Sequence, residues 1–195
     1  MMRRLTFGMV GLLAGLASFA PSAFAYPEID PLTRQPLVYD APNFRAKATN
    51  IPRTVVEYSG KYAPGTVVIS TSERRLYFVL PDGKAIRYGI GVGREGFSWA
   101  GSERVTMKRE WPTWTPPASM LKRRPDLPRF MPGGEDNPMG ARALYLGNTL
   151  YRIHGSNEPE TIGQAVSSGC IRMMNEDVID LYARVPVGTR VVVVR

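Results

Sequence analysis

A mainly β domain, a sandwich or barrel with one or two short helices, is the fold class this sequence predicts. Three observations predict it. After Pro64 and Gly65 the chain breaks into short runs rich in valine, isoleucine, tyrosine and phenylalanine, separated by turn residues. Only one later stretch has the apolar spacing and end signals of a helix. The run 189–194 is almost purely β-branched, which suits a strand buried on both faces.

The elements follow in chain order. Residues 1–25 have the three-part layout of a secretory signal: Arg3 and Arg4, an apolar run over 5–20 interrupted by Thr6 and Ser18, and the small-x-small tripeptide Ala23-Phe24-Ala25. The run is short for a membrane span and no second one follows, so the mature chain is expected to carry no integral membrane segment and to reach the periplasm or cell wall. Residues 26–62 show no sustained periodicity and are punctuated by Pro27, Pro31, Pro36, Pro42 and Pro52; they read as an extended linker. The domain proper is placed at 63–195. Its strands are predicted at 66–70, 76–80 and 85–90, with Pro81-Asp82-Gly83 as a hairpin turn, then at 105–111, 143–146, 150–153 and 189–194. A helix is predicted from Asn175, a capping residue followed by Glu176 and Asp177, with Val178, Ile179, Leu181 and Tyr182 on its apolar side and Pro186 and Gly188 as stops. The segment 111–140 holds seven prolines, Trp111, Trp114 and the basic run Lys122-Arg123-Arg124, and reads as a lid or binding loop.

The formal charge of +8 falls by only two when Arg3 and Arg4 leave with the signal. A basic exported protein favours the anionic wall polymer over a genome, so no nucleic-acid partner is expected. A single cysteine, Cys170, excludes an internal disulfide and leaves a free thiol in an oxidising compartment. Such a thiol is either buried and inert or kept for its reactivity. The glycine run at 89–93 is followed by no helix pattern, so a nucleotide phosphate site is rejected.

The single histidine, His154, ends a predicted strand, and Cys170 follows a Ser167-Ser168-Gly169 turn sixteen positions later. Strand ends and turns are where side chains meet in clefts. A thiol of pKa about 8.5 is mostly protonated at neutral pH, and an imidazole beside it can take the proton for attack on an amide. The turn 168–170 can aim backbone N–H groups at the resulting oxyanion, at roughly 3 kcal/mol per donor, and Gly169 lets the substrate carbonyl approach. With no second histidine or acidic cluster beside the pair, no metal or other cofactor is expected.

His-Gly-Ser at 154–156 and Ser-Ser-Gly-Cys-Ile-Arg-Met at 167–173 resemble the signature of the L,D-transpeptidase catalytic domain, and the similarity extends from about 65 to 195, through Pro-Met-Gly at 138–140. That resemblance implies an L,D-transpeptidase-type β-sandwich or barrel with a proline-rich lid. It implies Cys170 as nucleophile, His154 as proton acceptor and donor, and the Gly155 carbonyl as the group that holds the second imidazole nitrogen. Ser168 and Gly169 are expected to support the site and Ser167 to meet substrate, while Arg172 either supports the site, forms a structural salt bridge or meets a substrate carboxylate. The composition of the proline-rich loop suggests that Trp111 and Trp114 cover the stem peptide. Many members carry histidine where Ser168 stands, which leaves His154 as the base. The implied substrate is a peptidoglycan stem tetrapeptide that loses its terminal D-Ala; the acceptor is a second stem or an envelope protein such as a lipoprotein. Two alternatives stay open: an L,D-peptidase or carboxypeptidase using the same pair, and a catalytically silent peptidoglycan-binding module.

Overall fold

The structure, a computed structural model, describes residues 51–94 and 99–195. The expected signal, the linker as far as residue 50, and Glu95 and Gly96 of the turn after the glycine run lie outside the described residues. Eleven strands and two α-helices make up the described chain, so the fold is mainly β. Nine strands form one sheet in the order β1-β4-β3-β2-β11-β6-β7-β8-β10. At its centre β11 (Arg190–Val194) lies parallel to β2 (Val67–Ser70), with Val191 opposite Val67 and Val193 opposite Ile69. Val67, Val68, Val191, Val192 and Val193 are buried to within a few per cent, as the β-branched run requires. The hairpin of β3 (Arg75–Val79) and β4 (Lys84–Gly89) extends one flank, and its turn closes through the Leu80 N–H bond to Lys84 O at 2.8 Å.

The two halves of the sheet meet in β6 (Gly101–Glu110). Its first residues pair with β11 and its last with β7 (Arg142–Leu146), with a register irregularity between Val105 and Met107 where the strand changes partner. Further along, β7 pairs with β8 (Arg152–His154), and β8 with β10 (Ile171–Arg172). Helix α2 (Asn175–Arg184) packs Val178 and Leu181 into the core beside β7 and β8. A separate pair joins β5 (Val92–Gly93) to β9 (Ala165–Ser167). This arrangement sets the end of β8 against the turn before β10.

Two readings need correction. Thr54–Glu57, inside the stretch read as linker, is strand β1 and pairs with β4 from Thr54 opposite Arg87 to Glu57 opposite Lys84. Neighbouring prolines and an exposed edge position with half-buried threonine and valine hide it from pattern reading. The 111–140 segment is not structureless: it contains α1 (Ala118–Arg123), and Trp114 and Met131 exchange backbone hydrogen bonds of 2.9 and 2.8 Å.

Candidate active site

Parallel pairing of β8 and β10 joins the two motifs. Ile171 lies opposite Ile153 and Arg172 opposite His154, while the Met173 N–H donates to His154 O at 2.8 Å. Cys170, the residue before β10, therefore stands beside Arg152. His154 and Cys170 line one cavity of about 350 Å³, together with Arg152, Arg172, Ser167 and Ser168, and Trp114 and Met120 contribute from the proline-rich segment. Trp111 does not line it. That residue sits at φ 39° just after β6 with its backbone against Gly133, and its indole nitrogen is buried without a partner, so it holds a packing position.

The His154 ring is buried, and its Nδ1 lies 2.6 Å from Gly155 O. A carbonyl accepts only, so Nδ1 carries the hydrogen and Nε2 is the basic nitrogen of the neutral ring. Burial, with help from the charges of Arg172 and Arg152, lowers the His154 pKa to about 4 against the opposing hydrogen bonds to the Gly155 and Met139 backbone. The Cys170 thiol donates to Leu150 O at 3.6 Å. Burial raises its pKa, and the Arg152 backbone and guanidinium, together with Arg172, pull the other way. Both shifts favour the uncharged pair at rest.

The turn before Cys170 is closed by Ser167. Its hydroxyl donates to Cys170 O at 2.6 Å and accepts from the Gly169 N–H at 3.1 Å, while Gly169 adopts φ 108°, a conformation that favours glycine. Ser167 thus uses its hydroxyl to shape the turn, and the same hydroxyl engages the Gly169 N–H. Ser168 faces the cavity. Arg172 lines it too, but its Nη1 is 2.7 Å from Glu158 and 3.4 Å from Thr161 Oγ1, so a structural ion pair and a cavity position coexist.

Sequence reasoning missed two residues of the site. Asn175, expected as a helix cap, makes no cap bond; its Oδ1 accepts from Ala141 N at 3.0 Å and Ser156 N at 3.3 Å, tying the backbone just after Gly155 to that of Ala141. A Cβ on Gly155 would fall 2.2 Å from that oxygen, which explains glycine there. Arg152 is the other. Its position two before the histidine offered no motif signal, and only strand register reveals its closeness to Cys170.

The thiol and the backbone-oriented imidazole thus line a common cavity of a mainly β domain. The family model for the L,D-transpeptidase catalytic domain matches residues 64–193, and the chain belongs to that family. It is 43% identical over 137 residues to Escherichia coli K12 ErfK/SrfK, described as a probable L,D-transpeptidase, a match covering 66% of this chain and 43% of that protein. Escherichia coli K12 YbiS, described likewise, is 42% identical over 156 residues, covering 73% and 48%. The chain therefore matches less than half the length of these relatives. Among solved structures, an L,D-transpeptidase from Mycobacterium smegmatis shares the fold at a TM-score of 0.54 and 15% identity, covering 67% of this chain and 58% of that one. A Brucella melitensis protein, described as a probable carnitine operon oxidoreductase, aligns at a TM-score of 0.51 and 44% identity, covering 76% and 96%.

Proposed function

We propose that this chain is an exported L,D-transpeptidase that forms a thioester between Cys170 and a peptidoglycan stem tetrapeptide. The observation that carries the reading is the convergence of the thiol and the Gly155-held imidazole on one cavity, in a chain of this family. His154 Nε2 accepts the thiol proton, and sulfur attacks the carbonyl between the third stem residue and the terminal D-Ala. The Ser168 and Cys170 N–H groups are the remaining turn donors for the oxyanion. The C–N bond breaks as the imidazolium returns its proton to the leaving D-Ala amine. An acceptor amine then attacks the thioester, passes its proton to His154, and the sulfur leaves to be reprotonated. A second stem as acceptor yields a 3-3 cross-link; an envelope protein yields an anchored protein.

The oxidoreductase description concerns the Brucella protein and finds no dinucleotide cradle in the glycine run here. The backbone N–H groups of Ile90, Gly91, Val92 and Arg94 donate to Arg74, Arg172, Gln164 and Ser167 carbonyls at 2.9–3.2 Å, so none is directed at a phosphate.

Mass spectrometry of the chain incubated with purified disaccharide tetrapeptide tests the reading. D-Ala release with a covalent adduct on the wild type, absent in Cys170→Ala, is the expected result. An equal adduct on the alanine variant would refute it. Cross-linked dimers, free tripeptides or protein adducts among the products identify the acceptor, tripeptides alone selecting the peptidase.

A further inference from the structure

We propose that Arg152 is the cation that stabilises the Cys170 sulfur once its proton has left, a positioning residue for the thiolate. The inference rests on the reading above only in taking Cys170 as the nucleophile.

Three observations carry it. First, register: with Ile153 opposite Ile171 in parallel strands, the residues that precede them, Arg152 and Cys170, are neighbours. Second, the Arg152 guanidinium and the Cys170 sulfur converge on one oxygen, since Leu150 O accepts from Arg152 Nη1 at 3.1 Å and from Sγ at 3.6 Å. A carbonyl can hold S–H but repels S⁻, so deprotonation ends that contact and the sulfur needs a donor close by. A guanidinium offers five N–H groups. Third, Arg152 is held in place but not neutralised. Its guanidinium lies 4.9 Å from the Tyr145 ring centre, and no carboxylate pairs with it among the described residues.

The other groups facing the thiol do this less well. Arg172, on β10, is engaged by Glu158 at 2.7 Å. Arg123, from α1, lines the cavity, and no acid does. His154 is buried and disfavours its charged form, so as imidazolium it is a short-lived counter-ion. Burial raises the thiol pKa while Arg152, by backbone and side chain, opposes that rise. A thiolate made in this cavity thus has in Arg152 a cation that no acid pairs among the described residues and that neither consumes nor returns the proton.

The test is the pH dependence of alkylation by iodoacetamide, a small neutral probe that needs no substrate cleft. Cys170 is the chain's single cysteine, so the adduct is unambiguous. In Arg152→Gln the alkylation midpoint should rise by about one pH unit, equivalent to a tenfold loss of thiolate below it. Arg152→Lys should restore at least half of that shift. Arg152→Met, also neutral, should behave like glutamine and serves if the glutamine variant does not fold. Toward a tetrapeptide donor, kcat should fall with KM little changed. An unchanged midpoint in both neutral variants would overturn the inference, as would a rise in KM alone, which would make Arg152 a substrate contact. A wild-type chain that resists alkylation at every pH would instead remove the nucleophile assignment itself.

Discussion

At the scale of single residues, the candidate site depends on how buried polar atoms are satisfied. His154 has one ring nitrogen committed to Gly155 O, so only Nε2 is available to take a proton. His154→Ala should therefore slow acylation by at least about two orders of magnitude, with a smaller change in donor binding, as single-turnover intact-mass kinetics would show. Near-normal acylation would mean that another group deprotonates the thiol. Asn175 Oδ1 serves two N–H groups, those of Ala141 and Ser156. Asn175→Ala leaves both without that acceptor, and a loss of about 1–3 kcal/mol is expected in urea unfolding, with reduced acylation because the Gly155 carbonyl is no longer fixed. A variant with the wild-type urea midpoint would show the clamp to be dispensable.

At the scale of elements, the proline-rich segment and α2 each make a separable prediction. Trp114 lines the cavity, whereas Trp111 packs against Gly133. Trp114→Ala should weaken turnover of tetrapeptide donors while leaving iodoacetamide alkylation of Cys170 nearly unchanged; Trp111→Ala should lower the melting temperature more than it alters donor kinetics. The opposite pattern would return Trp111 to the substrate. In α2, burial raises the Asp177 pKa to about 6, against the nearby Arg53 charge, and Oδ2 lacks a partner. The folded chain then holds a proton that an unfolded Asp, with a pKa of about 3.9, releases between those values, so this group's contribution to stability is lost as pH rises toward 6. His154 acts in reverse. Its folded pKa of about 4 lies below the unfolded value of about 6.5, so its contribution is lost as pH falls through that window. The two oppose each other between pH 4 and 6. Asp177→Asn should therefore gain stability over the wild type at pH 7 and lose that gain by pH 4, measured as urea midpoints; a difference independent of pH would refute the assignment.

At the scale of the whole molecule, the sheet extends past the region matched by the family model. β1 covers the edge of β4, and Arg53, just before it, lies 3.3 Å from Asp180, to which Tyr88 donates at 2.6 Å. A chain beginning at Pro64 loses these contacts and leaves β4 as an unpaired edge. It should unfold at lower urea concentration than a chain beginning at Ile51 and should self-associate in sedimentation. Equal stability and a monomeric profile would show β1 to be an ornament of the sheet.

The sequence by itself determined the mainly β class, the central valine strand and helix α2, and it singled out His154 and Cys170, which line one cavity. Each of these is written in local composition or in a short motif: β-branched runs, capping and stop residues, and a histidine and a cysteine that are the only ones in the chain. The tertiary structure decided the rest. β5, β9 and β10 are two or three residues long and exist only because distant partners hydrogen-bond to them. Asn175 turned from cap to clamp because its partners, Ala141 and Ser156, reach it from 34 and 19 residues away. Arg152 lies beside Cys170 through strand register, and Trp114, bridged to Met131, lines a cavity that Trp111 does not. Local propensity cannot encode a neighbour whose identity depends on how separate strands align, and register is set by the packing of the whole sheet.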